Sequence, residues 1–227
     1  MKNWLMTVCS VMICVAVNIS AKPKNIKIEC GNSDSDAPAL KKAPGNVKRL
    51  LKGNVLTVTL EIEGRSLNFV YKNSEDNKGE LDGLKWQYCG YRKDMKLHLI
   101  KKEEDGYFSG KLLDENIGED FEAGYRIIIS EDGDTIFAAR QPNGMDGEEW
   151  FLLDRYGKVL WKGESVFTDK QKSITAELES PDFDKDGNLT AVQKCTAEKA
   201  KKKTAKIILK KKDKKFQWES RISCPSA

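Results

Sequence analysis

Apolar and polar residues alternate along the chain from residue 54 onward, beginning with VLTVTLEI at 55–62. The apolar positions recur at every second residue, and β-branched side chains dominate, as is typical of a half-buried strand. A turn, EGR at 63–65, and a second apolar segment, SLNFVY at 66–71, follow directly. The pattern therefore predicts a β-hairpin over residues 55–71.

The same rhythm continues to the end of the chain, and turns rich in glycine and aspartate separate the apolar segments. Further strands are predicted at 84–91, 95–101, 107–113, 125–130, 135–140, 149–154, 158–161, 173–179, 188–195, 205–210 and 215–222. These criteria predict many short strands and no long helix. The expected fold class is all-β: an antiparallel meander, propeller-like or sandwich, with few or no helices apart from the signal peptide.

Composition changes ahead of the first hairpin. Residues 31–53 are rich in Gly, Ser, Asp, Ala, Pro and Lys, and Pro38 and Pro44 interrupt any helix there. We therefore expect residues 22–53 to form an N-terminal arm or linker, with one short helical turn near Val47. Residues 54–227 are expected to form a single β-rich domain.

The first residues have the parts of a secretory signal peptide. A basic start is followed by an apolar run at 4–17 and by small residues ending at Ala21. We expect residues 1–21 to be removed and the chain to be exported, either to a periplasm or into the medium. A retained membrane anchor is the alternative, but the run is short of the about 20 apolar residues of a comfortable span. No other segment predicts a membrane span after processing.

Four cysteines remain after that cleavage: Cys30, Cys89, Cys195 and Cys224. An even number in an exported chain is typical of disulfide bonds, and four cysteines permit three pairings. We favour Cys30–Cys89 and Cys195–Cys224, because each bond then closes a loop within its own half of the chain. Free buried thiols are the alternative.

Charge and histidine content exclude several function classes. The net charge of +4 arises from 39 basic and 35 acidic residues, so binding to nucleic acid is not expected. His98 is the single histidine, which removes most zinc and Ser-His or Cys-His chemistries. It lies between Leu97 and Leu99 on the opposite face of its strand, and we expect a partly exposed residue without a partner.

One loop carries a pattern that suits a hard cation. Carboxylates alternate along DFDKDGNLT, and Gly187 permits a sharp turn between them. The loop resembles the first nine positions of an EF-hand, with Gln193 where a bidentate Glu would stand. The candidate calcium ligands are Asp182, Asp184, Asp186, Asn188 and Gln193. The alternative is a surface turn that binds nothing.

Lysine is concentrated near the C-terminal end. Residues 194–215 contain eleven lysines, against Glu198 and Asp213. The candidate surface patch consists of Lys201, Lys202, Lys203, Lys210, Lys211 and Lys212, and it would bind an anionic envelope component. A solvated hairpin whose lysines discourage strand-to-strand aggregation is the alternative.

Acidic clusters and tryptophans are the remaining candidates. The clusters at 103–105, 119–120 and 146–149 could hold a glycosidase-type carboxylate pair. Trp86, Trp150, Trp161 and Trp218 fall inside predicted strands, where they would anchor the core or line a groove for a sugar or peptide.

Two segments resemble known families. Residues 128–138, IISEDGDTIFA, resemble the S-x-D-G-x-x-I-A hairpin in blades of TolB-like and WD40-like β-propellers. YCGY at 88–91, leading into LHLI at 97–100, is similar to the opening of small exported β-repeat proteins of unknown function. The resemblance implies meander topology and a role in binding, with no catalytic residues.

The expected function is therefore that of an exported β-rich binding protein without catalytic activity. Its partner would be another protein or an anionic envelope component, and an inhibitor or immunity-type protein of the cell envelope is one specific form. The alternatives are a carboxylate-based hydrolase acting on an envelope polymer and an envelope structural protein that binds anionic surfaces.

Overall fold

The computed structural model describes residues 25–30, 35–50, 54–74, 83–142, 146–171, 173–197 and 203–225. Within these ranges, 17 strands form four antiparallel sheets, and one helical turn, α1 (Ala37–Leu40), is the only helix. The predicted all-β antiparallel class is confirmed. The signal peptide predicted at 1–21 lies outside the described residues. No helix in the described ranges is long and apolar enough to cross a bilayer.

The four sheets are numbered here by their place in the structure. Sheet I contains β2 (Val47–Leu50), β3 (Val55–Ile62) and β4 (Arg65–Lys72). Sheet II contains β5 (Leu84–Arg92), β6 (Leu97–Glu104), β7 (Tyr107–Asp114) and β8 (Glu119–Ala123). Sheet III has the order β1-β9-β10-β11-β12: β1 (Ile26–Glu29), β9 (Arg126–Ile129), β10 (Thr135–Arg140), β11 (Glu149–Asp154) and β12 (Val159–Glu164). Sheet IV contains β13 (Val166–Thr168), β14 (Ile174–Phe183), β15 (Leu189–Cys195), β16 (Thr204–Lys212) and β17 (Lys215–Glu219).

The sheets pack face to face in the order I, II, III, IV. Each of the three larger apolar clusters joins residues of two consecutive sheets. Ile127 and Ile129 of β9 belong to the cluster with sheet II, whereas Ile128 belongs to the cluster with sheet IV. Because side chains alternate across a strand, a sheet covered on both faces needs apolar residues at successive positions. This explains the uninterrupted apolar runs of β9, β10 and β11.

The segment expected to be a loose arm contributes two strands. β1 pairs with β9 at the edge of sheet III, and β2 pairs with β3 in sheet I. Between them, Asp36 forms an ion pair with Arg49 and accepts a hydrogen bond from the backbone N–H of Tyr88 at 3.2 Å. Each of the two strands has only four residues, too few for an alternating pattern to stand out in a polar, proline-containing segment.

Both expected disulfide bonds are present. Cys30–Cys89 links the end of β1 to β5 with a Cα–Cα distance of 4.6 Å. Cys195–Cys224 links β15 to the C-terminal segment, residues 220–225, at 5.4 Å. Gln193 holds the same segment, because its side-chain amide donates to the carbonyl of Ile222 at 2.9 Å and accepts from the N–H of Ile222 at 3.0 Å.

Candidate functional site

A cavity of about 430 Å³, called here the edge cavity, lies beside β12. Its lining residues are Trp161, Lys162, Gly163 and Glu164 of β12, Val166 and Phe167 of β13, and Trp218 of β17. The four β12 residues are consecutive, so their side chains point alternately to opposite faces of sheet III. The cavity therefore lies close to the backbone of β12, which is the edge strand of sheet III.

A second cavity of about 240 Å³, called here the acidic cavity, adjoins the first through Glu164 and Val166. Carboxylates dominate its polar lining, namely Asp146, Glu148, Glu149 and Glu164. The chain leaves sheet III between these cavities at the buried Ser165. The backbone N–H of Ser165 donates to the carbonyl of Glu148 at 2.8 Å, and the carbonyl of Ser165 accepts from the N–H of Leu178 at 2.6 Å. We call the two cavities together the β12 groove.

Aromatic rings connect the groove to the core of the molecule. The rings of Trp161 and Trp218 meet edge to face, with centroids 5.9 Å apart, and both are half-buried. Trp218 in turn lies 6.4 Å from Trp150, which is fully buried and contacts Phe137 at 5.2 Å. The Trp161 ring packs over Gly163, where any Cβ atom would clash with the indole. The half-buried rings therefore rest on the fully buried rings of Trp150 and Phe137.

Glu148 supports this aromatic base from the polar side. Its carboxylate accepts hydrogen bonds from Trp150 Nε1 at 2.8 Å, from Arg126 at 2.5 Å and from the hydroxyl of Tyr125. Burial and the neighbouring Glu148 carboxylate together raise the pKa of Tyr125 above its ordinary range. Three donors occupy the two oxygens, so Glu148 holds the core together and is poorly placed to give or accept a proton during a reaction.

The other carboxylates of the groove have less positive charge or hydrogen bonding around them than Glu148 has. Glu149 and Glu164 are directly paired across β11 and β12. Like charges at opposite positions of a sheet are destabilising. Lys162 relieves Glu149 through an ion pair and also lies 5.3 Å from the ring of Phe151. Within the described residues, Glu164 and Asp146 form no ion pair or side-chain hydrogen bond.

The residues of the predicted calcium loop are only partly brought together. Asp184 Oδ1 accepts from the N–H groups of Asp186 at 2.9 Å and Asn188 at 2.8 Å. Asp182 instead contacts Lys27 at 3.0 Å and Asn25 at 2.8 Å. Burial would raise the pKa of Asp182, but these contacts outweigh it and hold the pKa below its ordinary value.

Gln193, the fifth predicted ligand, is buried and bonded to Ile222, away from the loop. In the described part of the chain, no group of three or more His, Cys, Asp or Glu side chains could hold a metal ion. The donor set therefore does not converge on a single point, and calcium binding stays a prediction from sequence.

The hydrogen bonds of Asp184 recur in two other hairpins. Asp154 Oδ1 accepts from the N–H groups two and four residues later at 2.9 Å, and Asp169 Oδ1 does the same. Those loops have Tyr156 and Gln171 where Asp186 stands, so neither offers a second carboxylate. The shared role of these aspartates is to close a hairpin loop, and the repeat was visible in the sequence as Asp followed by a turn and an apolar strand.

The lysines of the predicted patch lie on different faces of sheet IV. Lys210 and Lys212 both pair with Glu219, at 3.2 Å and 2.6 Å. Lys211 points to the other face, 5.8 Å from the ring of Phe216. Lys203 is exposed, whereas Lys201 and Lys202 lie outside the described residues. The two cations that share a face are thus partly neutralised by the same carboxylate.

The expectation that His98 is partly exposed and without a partner is wrong. Its side chain is fully buried. The sequence placed it correctly opposite Leu97 and Leu99, but sheet I covers that face of sheet II as well. His98 Nδ1 lies 3.0 Å from the hydroxyl of Tyr88, and Nε2 lies 2.9 Å from Glu115 Oε1.

The His98 network ends at Tyr91, whose hydroxyl donates to Glu115 Oε2 at 2.9 Å. Burial lowers the pKa of His98, although Glu115 opposes the shift. Burial and the hydrogen bond to Glu115 raise the pKa of Tyr91 to about 12. A neutral imidazole that accepts from Tyr88 and donates to Glu115 satisfies every polar atom of this network.

Several residues of these sites were not anticipated from the sequence, among them Phe167, Glu164 and Glu115. Phe167 lies in a strand of three residues, too short to recognise. The turn at 155–157 brings Glu149 opposite residue 163 or 164, so counting residues outward from that turn could have identified Glu164.

Comparisons with protein-family models, with curated proteins and with solved structures found no match to this chain.

Proposed function

We propose that this chain is an exported β-rich interaction protein that performs no covalent chemistry, and that it binds its partner through the β12 groove. The observation that carries the proposal is the edge cavity, where half-buried aromatic rings border an open strand edge. Tryptophan is among the residues that most often dominate the binding energy at protein interfaces.

Two disulfide bonds support export, because such bonds persist in oxidising compartments. A periplasmic or secreted location follows from the predicted leader at residues 1–21. The inhibitor or immunity-type role remains one form of this proposal, since a partner protein would occupy the groove.

The test is affinity capture from the native envelope or secretome, using the full chain exported with its own leader. We expect the same identified protein to be captured by the unmodified chain and by Val70→Ala, and to be lost with Trp161→Ala. Val70 is a suitable control because it is 59% exposed on sheet I, far from the groove. Capture that is unaffected by Trp161→Ala would disprove binding through the groove.

A carboxylate-based hydrolase is the second candidate, because four carboxylates border the acidic cavity. The three hydrogen bonds to Glu148 and the ion pair of Glu149 with Lys162 weigh against it, since a general acid or base must be free to exchange a proton. Release of reducing ends from envelope polymers, abolished by Glu164→Gln with unchanged melting temperature, would establish hydrolysis and displace the binding proposal.

A further inference from the structure

The outer edge of β12 is open to another strand. Among the described residues, β12 pairs only with β11, so the backbone groups on its other side have no strand partner. Large apolar side chains are also exposed in the hairpin formed by β11 and β12, where Tyr156, Val159 and Leu160 are 68%, 52% and 39% exposed. Native proteins usually protect such edges with charged residues. Lys162 could do so, but its ammonium group is held over Phe151 and Glu149.

The edge cavity supplies the space that an added strand would need. It lies against four successive residues of β12, the edge strand of sheet III, and Phe167 and Trp218 line it as well. An extended peptide laid there would place alternate side chains on the two faces of sheet III. On one face they would meet the Trp161 ring, which covers Gly163, and on the other face Lys162 and Glu164.

Charge determines what the second face would accept. Glu164 is exposed, is directly opposite Glu149 and has no ion pair among the described residues. A cationic side chain at the matching position would relieve this unfavourable pair, whereas an anionic one would add to it. Asp146 lies on the same acidic cavity and adds negative charge nearby.

We propose, building on the groove-binding function above, that the partner adds an extended segment to the β12 edge. In that segment, apolar side chains facing Trp161 alternate with lysine or arginine facing Glu164. Backbone hydrogen bonds to β12 supply affinity, and the two faces supply specificity. The occupant is a protein segment, because a glycan has no peptide backbone whose N–H and C=O groups repeat at the spacing of a β-strand.

The test uses synthetic peptides in which valine alternates with lysine, and tryptophan fluorescence of the full chain reports binding. We expect binding that weakens as salt rises, since the screening length falls from about 10 Å at 0.1 M to about 3 Å at 1 M. A peptide with the same composition in two blocks, and one with glutamate in place of lysine, should both bind at least about tenfold more weakly. Trp161→Ala and Glu164→Gln should reduce the affinity, and Glu63→Gln in the turn of sheet I should not.

N-methylation of the peptide amides distinguishes strand addition from side-chain contact alone. Methyl groups on the one edge that faces β12 should abolish binding, while methyl groups on the opposite edge should leave it unchanged. The proposal would be overturned if the two methylated forms had equal effects or if the glutamate peptide bound with equal affinity. Binding of neutral oligosaccharides in place of the peptides would overturn it as well. If partner capture depends on Trp161 but the valine–lysine peptides do not bind, groove binding stands and the mode of recognition proposed here is wrong.

Discussion

Replacing His98 by phenylalanine tests the buried network between sheets I and II. The substitution keeps a ring in place but leaves the Tyr88 hydroxyl without an acceptor and Glu115 Oε1 without its donor. A buried polar group left unpaired costs about 1–3 kcal/mol, and Glu115 is only partly buried, so we expect a loss of about 2–5 kcal/mol in unfolding free energy. Urea denaturation followed by fluorescence measures this loss.

Tyr88→Phe makes the test sharper because it removes the other half of one hydrogen bond. Alone, it leaves His98 Nδ1 unpaired at a cost of about 1–3 kcal/mol. In the double variant neither unpaired group exists, so its loss should be smaller than the sum of the single losses by both avoided costs, about 2–6 kcal/mol. Losses that add to within about 0.5 kcal/mol would refute the hydroxyl–imidazole bond.

The same network sets a dependence on pH. Burial lowers the pKa of His98 below the ordinary 6.5, so the folded protein binds fewer protons than the unfolded chain in acid. The stability from the neutral imidazole is complete above 6.5 and is lost as the pH falls from there towards the folded-state pKa. Between about pH 7.5 and about pH 5, the melting temperature should therefore fall more for the unmodified protein than for His98→Phe. Equal falls would show that His98 is protonated without cost.

Three other perturbations test the core, the C-terminal tie and the hairpin loops. Trp150→Ala should cost about 3–5 kcal/mol, because the ring is fully buried and its N–H is bonded; a near-neutral denaturation midpoint would contradict this packing. Replacing Cys195 and Cys224 by serine should lower the free energy of unfolding by about 3–4 kcal/mol, as the chain-entropy relation gives for a separation of 29 residues. Thiol titration of the unmodified protein should find no free thiol in that pair. Asp184→Ala and Asp154→Ala should each lower the free energy of unfolding by about 1 kcal/mol, because each removes the same kind of loop hydrogen bond. Any calcium-dependent rise in melting temperature should vanish only with Asp184→Ala. A rise that survives in both variants would end the calcium prediction.

The sequence predicted the elements in which local pattern is strong. The hairpin at 55–71 appears as β3 and β4 with the expected turn, because alternation over eight residues identifies both the strand and its buried face. β1, β2 and β13 have three or four residues, too few for alternation to stand out, and β1 also pairs with β9, about a hundred residues later in the chain. No local pattern specifies such contacts.

The burial of His98 and the contacts of the predicted calcium ligands could not be predicted from the sequence. Alternation placed His98 on one face but could not tell that a second sheet covers it. Asp182, Asp184 and Gln193 have cation-binding side chains at suitable intervals, yet long-range contacts to Lys27 and Ile222 assign two of them elsewhere. Trp161 was a candidate for a groove, but the groove itself appears only when β12, β13 and β17 meet.

The place of β1 has a consequence for the order in which the protein assembles. During synthesis this strand emerges first, yet Ile26 pairs with Ile129, about a hundred residues later. Until then, Ile26 and Ile28 have no sheet to complete. Cys89 becomes available earlier, so oxidation with Cys30 would tether the waiting strand to β5, next to the position that β9 will occupy. The bond would then keep β1 close to its place in sheet III until β9 is made.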